Sequence, residues 1–272
     1  MPKIITIYSE NNDFQHLEVL KRNREKRTKF GEFFVEGVKP IELLIKNNWQ
    51  ILSFAYSKEG LSDWAKKILA CSNAETHFEL PLDLMHKLSD KEEISELIAI
   101  VKIPPDDLSR IKTKKELLIV VFDRASSPGN LGTIIRSCDS LGADGLIVTG
   151  HSVDVYDSKT IRASLGTLFS LTVIRLPSDK EVLQYIKNLE ENIGTIQIVG
   201  STIKTQTEIY NCDFKKPTVL LIGNETHGLS SNYKSMSSIL VKIPMQGSAS
   251  SLNVANATSI ILYEIQRQRK GA

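Results

Sequence analysis

The chain has 272 residues, with 34 Lys and Arg against 32 Asp and Glu, for a formal net charge of +2. That length accommodates two modest domains or one large one, and so balanced a charge neither demands nor excludes a nucleic-acid partner. Cys71, Cys138 and Cys212 are odd in number and scattered, with no CxxC pair, so neither a disulfide framework nor a zinc knuckle is indicated and a reducing compartment fits best.

The N-terminal stretch MPKIITIYSENND lacks a continuous apolar segment and carries acidic residues early, unlike a signal peptide. No run approaches the roughly 20 apolar residues of a membrane helix, so a cytosolic protein without a membrane partner is expected. The Asn224-Glu225-Thr226 sequon is then a chance match. The five histidines form no HxxxH or HExxH pattern, and no metal site is expected.

In chain order, the first notable feature is the basic run Lys21 to Lys29, with six cations and one acid. Its default reading is a solvated helix face. Arg22, Arg24 and Arg27, followed by Phe30, Phe33 and Phe34, also suggest an RNA-contact surface of cations and stacking rings. Short strands are expected over Phe33–Glu36, Ile51–Tyr56, Thr76–Leu80 and Leu97–Val101, with helices over Val38–Asn47 and Ser62–Ala70. The pair Pro104-Pro105 can continue neither a helix nor a central strand, which places a domain boundary there: residues 1–105 and 106–272.

The second half opens with the continuous apolar run Leu117–Phe122, as for a strand buried on both faces. Further strands are expected over Gly145–Val148, Leu171–Leu176, Thr195–Val199, Val219–Ile222 and Ile239–Ile243. Helices fill the gaps, one opening at the capping box Ser178-Asp179-Lys180-Glu181 and running to about Glu191. The alternation predicts an α/β fold with a mostly parallel sheet, whose ligands bind beyond the carboxyl ends of the strands.

Four unusual loops occupy those positions: Asp123–Gly132, Gly200–Thr202, Gly223–Gly228 and the small-residued stretch from Pro244 to Asn253. No G-x-G-x-x-G fingerprint, Walker lysine or G-x-S-x-G elbow is present, which removes the three commonest α/β chemistries. Taken singly, the loop residues have plain readings. Asn130 suits a helix N-cap and Arg136 a surface charge. Glu225 stands open between a solvent-facing acid in a turn and a site residue. Gly223 follows a buried strand directly and would let a ligand touch backbone. Ser250, Ser251 and Asn253 surround the expected start of the last helix, where one of them caps and unpaired N–H groups collect.

Taken together, the loops resemble the three signature motifs of the SpoU (TrmH-type) RNA 2′-O-ribose methyltransferases of the SPOUT superfamily. The matching stretches are Asn130–Arg136 with Leu141-Gly142-Ala143, then Ile222–Leu229, then Ile243-Pro244-Met245 with Gly247 and Ser251–Ala255. The resemblance spans residues 117–266, while Phe33–Gly37 resembles part of the L30e-like substrate-binding domain that many members carry. Cys138 and Asn256 depart from the usual residues, at positions with no assigned chemistry.

The resemblance implies a C-terminal trefoil knot, a homodimer and S-adenosyl-L-methionine as cofactor. By the same analogy Gly223, Ile243 and Leu252 line the cofactor pocket, with Thr202 and Met245 as neighbours. Arg136 is the first candidate catalytic residue. A guanidinium stays protonated, so its expected role is to grip an RNA phosphate and stabilise the developing oxyanion rather than to act as base. Asn130, Glu225, Ser251 and Asn253 complete the candidate catalytic set, and Arg162 resembles another family position, placed on RNA. Ribosomal RNA, specifically the large-subunit 23S species, is the favoured substrate on family habit. Transfer RNA methylation and a catalytically inactive RNA-binding protein of the same fold are the alternatives.

Overall fold

The computed structural model describes residues 2–89 and 94–270. The chain divides into two compact units, Met1–Pro105 with Tyr156–Ser170, and Asp106–Val155 with Leu171–Ala272. No described helix is long and apolar enough to cross a membrane.

The first unit runs β1 (Lys3–Thr6), α1 (Asn12–Arg22), α2 (Arg24–Phe30), β2 (Glu32–Glu36), α3 (Val38–Lys46), β3 (Ile51–Tyr56), α4 (Asp63–Cys71), β4 (Thr76–Glu79), α5 (Leu82–Leu88) and β5 (Leu97–Lys102). Its sheet has the order β1-β4-β3-β5-β2, parallel on the β1 side and antiparallel around β5. Phe14, Leu17 and Leu20 of α1 pack with Phe34, Ala55, Ile98 and Leu88 in its core. The basic run is not one helix. Asn23 interrupts it and caps α2, its side chain accepting from the Lys26 N–H.

The second unit begins with β6 (Leu118–Asp123), α6 (Pro128–Ser140) and β7 (Gly145–Thr149). The chain then contributes Tyr156–Ser170, including α7 (Ser158–Ala163), to the first unit. Tyr156 and Phe169 there meet Phe33 and Trp49, and the Trp49 indole donates to the Phe169 carbonyl at 2.9 Å. The sequence boundary at Pro105 placed this segment in the second half. Its aromatic partners are more than a hundred residues upstream, so local pattern could not show the association.

The second unit resumes with β8 (Val173–Leu176), α8 (Asp179–Ile193), β9 (Gln197–Ser201), β10 (Thr218–Ile222), α9 (Ser231–Met236), β11 (Ile239–Val241) and α10 (Val254–Lys270). The six strands form one sheet, β11-β9-β10-β6-β7-β8, parallel at every pairing. Every residue of β6, β7 and β10 is buried, as their apolar runs require. Ile119, Val121, Ile147 and Leu221 share a core with Val182, Tyr185, Ile186 and Leu189 of α8. At the far end of α10, the Arg269 guanidinium donates to the carbonyls of Glu116, Leu117, Phe214 and Lys216, tying the helix to the starts of β6 and β10.

Register positions the site. Ile222 pairs with Phe122, Leu221 with Gly200, and Val241 with Ser201. Four adjacent parallel strands therefore end nearly level, and the turns that leave them stand side by side. The chain runs outward from β6 through β7 to β8 and later fills the other flank, so β6 and β10 flank the point where strand order reverses, the usual ligand position in such sheets.

Candidate active site

The turn after β10 is held from several directions. The Asn224 side chain accepts from the Thr226 and His227 N–H groups at 2.9 and 3.0 Å and donates to the Arg124 carbonyl at 2.8 Å. Asn224 and Gly228 exchange backbone hydrogen bonds, closing the turn on itself. Arg124, with φ of 52°, grips Asp123 through two nitrogens at 2.8 and 2.9 Å and donates to the Gly228 carbonyl at 3.2 Å. Gly223 must be glycine for the sake of this turn. A Cβ there would lie 2.1 Å from the Leu229 nitrogen and 2.2 Å from the Gly228 carbonyl carbon. The side of Gly223 that a Cβ would take faces the returning chain, and the residue also borders the cavity described below.

Glu225 is no free surface acid. Its Oε2 accepts from the Ser126 N–H at 3.1 Å and the Ser126 hydroxyl at 2.5 Å, and its Oε1 accepts from Asn130 Nδ2 at 3.2 Å. Burial pushes the carboxyl up, but the hydrogen bonds from Ser126 and Asn130 outweigh it and the net shift is downward.

Asn130 is not the N-cap of α6. Ser127 caps it, Pro128 takes the first turn, and the Ser127 hydroxyl accepts from the Asn130 N–H. The Asn130 side chain is therefore released for other contacts. A carboxylate only accepts, so Nδ2 must face Glu225, and Oδ1 then accepts from Asn253 Nδ2 at 3.1 Å. Asn253 caps α10, its Oδ1 accepting from the Ala255 N–H at 2.8 Å. One polar chain thus links Ser126, Glu225, Asn130 and Asn253 to the start of the last helix.

Beside that chain lies a cavity of about 340 Å³, within the range of about 300–1,000 Å³ usual for small-molecule sites. Thr202, Gly223, Ile243, Met245 and Leu252 all line it, as do Glu225 and Ser251. Met245 and Leu252 are each 39% exposed and border the cavity with their apolar side chains. Lys204, Lys234 and Lys242 also line the cavity, and sequence reasoning missed all three. Ser126 was missed too, although it stands in a loop marked as unusual.

Arg136 is not drawn into this cluster. It is exposed on α6, six residues beyond Asn130, outside the cavity lining and with no hydrogen bond or ion pair among the described residues. Of the residues assigned to RNA, Arg22 pairs with Glu18 at 3.3 Å on an exposed helix face, and Arg24 is exposed. Arg162 pairs with the buried Glu36 at 3.2 Å.

Arg27 corrects the sequence reading. It is 2% exposed, and its guanidinium donates to the carbonyls of Leu20 and Lys21 and to Asp157. It is a structural arginine because α2 turns that position inward. Phe33 and Phe34 are equally buried, leaving Phe30 as the exposed ring of the trio. Arg27→Ala should destabilise the protein by about 3–5 kcal/mol, since it strands a carboxylate and two carbonyls. Calorimetry would show a lowered Tm, whereas Lys29→Ala on the exposed face of the same helix should leave Tm nearly unchanged.

Comparison with known proteins fits this site. The model of the SpoU rRNA Methylase family matches residues 117–263, and that of the SpoU L30e-like domain matches residues 11–99. The chain belongs to the SpoU rRNA methylase family. It is 46% identical over 270 residues to a 23S rRNA (uridine(2479)-2′-O)-methyltransferase of Streptomyces viridochromogenes, covering 98% of this chain and 94% of that protein. The crystal structure of the SpoU methyltransferase AviRb from the same organism, in complex with the cofactor AdoMet, superposes with a TM-score of 0.89 at 45% identity, covering 96% of this chain and all of that one. A 23S rRNA (guanosine(2553)-2′-O)-methyltransferase of Bacillus subtilis is 26% identical over 248 residues, 89% of this chain and 92% of that protein.

Proposed function

We propose that this chain transfers a methyl group from S-adenosylmethionine to a ribose 2′-hydroxyl of 23S ribosomal RNA. The observation that carries the reading is convergence: residues of the second and third motifs line one cavity at the ends of β9, β10 and β11, and Asn130 of the first motif, 95 and 123 positions away in the chain, is hydrogen-bonded to Glu225 and Asn253 of the other two. When bound, S-adenosylmethionine supplies a methyl carbon already activated on a cationic sulfur.

The lining suits that molecule. Ile222, Ile243, Met245 and Leu252 offer apolar surface, Thr202 and Ser251 offer hydroxyls, and the three lysines offer positive charge for a carboxylate. Glu225, held below the usual carboxylate range by the hydrogen bonds from Ser126 and Asn130, stays ionised through the neutral range. It fixes Asn130, which with Asn253 orients groups at the cavity edge. Arg136 receives an RNA phosphate on its planar fork and stabilises the 2′-oxygen as its proton leaves to phosphate or water. Its exposed, unpartnered position leaves it open to RNA. The reading extends to a trefoil knot within residues 106–272, to a homodimer, to an L30e-like RNA-binding role for residues 1–105 with Arg22, Arg24 and Arg162 as contacts, and to a cytosolic location. Among the described residues no three metal-ligating side chains gather, and the transfer needs none.

The pH behaviour follows from the downward shift at Glu225. A carboxyl lowered in the folded protein contributes stability above its unfolded pKa of about 4.3 and loses it as pH falls through the folded value. Glu225's contribution to thermal stability should therefore be flat between neutrality and mild acidity and be lost as pH falls through that value, as scanning calorimetry of the native protein and Glu225→Gln across pH would show. The function itself is tested by incubating total RNA from a strain deleted for this gene with the protein and labelled cofactor, then mapping 2′-O-methylation. A single modified ribose in 23S RNA is expected, and label in transfer RNA alone would refute the assignment.

A further inference from the structure

A second cavity, of about 390 Å³, lies wholly within the first unit. Val38 and Pro40 at the start of α3 form one wall, and Ile161 and Leu165 form another, with Phe34 behind. Its polar corner is Glu36, 9% exposed, whose Oε1 accepts from Arg162 at 3.2 Å and whose Oε2 accepts from the Ser89 hydroxyl at 2.9 Å. Val38 and Leu165 are 54% and 50% exposed, so two large apolar side chains stand open to solvent at one opening.

The shape is built in. Leu165 has φ of 52° and Gly166 of 80°, a left-handed pair that turns the chain against α3. Leucine rarely adopts that conformation, and strain of this kind persists where surrounding structure holds it. Gly166 lets the turn come close: a Cβ there would lie 2.7 Å from Pro40 Cα.

We infer that this pocket takes one unstacked nucleobase of the RNA substrate, its faces against Val38, Pro40 and Leu165 and its hydrogen-bonding edge towards Glu36 and Arg162. The inference rests on the RNA reading above. A flat heteroaromatic ring with a mixed donor–acceptor edge matches apolar walls that end in a carboxylate beside a guanidinium. Proteins read RNA sequence mainly through such splayed-out bases. Lys39 at the rim is exposed and carries the positive charge that the adjoining phosphate requires. A purely apolar ligand would cover the Glu36–Arg162 pair with surface that offers it no hydrogen bond.

Two variants test this without endangering the fold. Leu165→Gly removes a wall while easing the left-handed backbone, and Val38→Glu puts charge on an exposed wall. Each should raise KM for RNA about tenfold, the weight of one base contact, with kcat and cofactor affinity at native values. An unchanged KM for RNA in both variants overturns the proposal. Failure of the parent reading looks different, because the unaltered protein then methylates no RNA. In that event methyl NMR of Val38 and Leu165 decides, with single-stranded oligouridylate and oligocytidylate as probes. Ring-current shifts that disappear in Leu165→Gly support the pocket, and their absence at high oligonucleotide concentration overturns it.

Discussion

Arg136→Ala should lower kcat for methyl transfer by about 10²–10³-fold, the cost of deleting one donor to a developing oxyanion. Cofactor affinity and thermal stability should not change, because Arg136 contributes nothing to the cavity lining and has no partner among the described residues. This combination separates it from Glu225 and Asn130, whose loss also disturbs the polar chain between the turn after β10 and the start of α10. Arg136→Lys refines the test. Lysine keeps the charge but lacks the planar fork, so it should recover only part of the rate if bidentate phosphate contact is what the position provides. A variant with near-native kcat would remove Arg136 from the chemistry.

Gly223→Ala should damage both stability and cofactor binding. The added methyl would stand 2.1 Å from the Leu229 nitrogen, and the obstacle is backbone, which cannot swing aside as a side chain can. Overpacking of this kind costs about 1–3 kcal/mol or more. The turn from Asn224 to Gly228 has to move to relieve it, and that movement carries Glu225 away from Ser126 and Asn130. Calorimetry should show a lower Tm together with cofactor affinity weakened more than tenfold, about 1.4 kcal/mol. Gly247→Ala provides the contrast. No atom lies within 4 Å of the place its added methyl would take, and φ there is not in the left-handed range, so little change is expected.

Much of the parallel sheet was legible because its physics is local. Leu117–Phe122 is apolar without alternation since both faces of β6 are covered, and the capping box at Ser178 marked the start of α8 to the residue. β1 escaped notice because it is a short edge strand with largely exposed side chains, Ile4 at 58% among them, and carries no burial pattern. The basic run misled for a related reason. Asn23 splits it into two helices, so Lys21 and Arg27 turn inward while their neighbours stay in water. At Asn130 a better signal was present. Ser127-Pro128 is the usual opening of a helix, and it would have moved the cap upstream and left the asparagine side chain available.

The site was legible for a different reason. Loops at strand ends can be recognised one at a time, and a parallel sheet guarantees that they gather on one edge. What no local pattern could give is the order of the strands, and with it the choice of which loops become neighbours. β9 and β10 lie beside each other with β6 next, so Thr202 and Gly223 share one cavity lining and Ser126 reaches Glu225, while the turns after β7 and β8 lie on the other flank. The three lysines of the lining were invisible because isolated lysines near strand ends are common, and only the fold reveals that these share one cavity.

The most direct measurement is a crystal structure of this protein grown with S-adenosylhomocysteine. The molecule should lie against Gly223, Ile243 and Leu252, with its sulfur on the side of the Glu225–Asn130–Asn253 chain. Density for it elsewhere, with the cavity at the ends of β9, β10 and β11 filled by water alone, would contradict the assignment of this site.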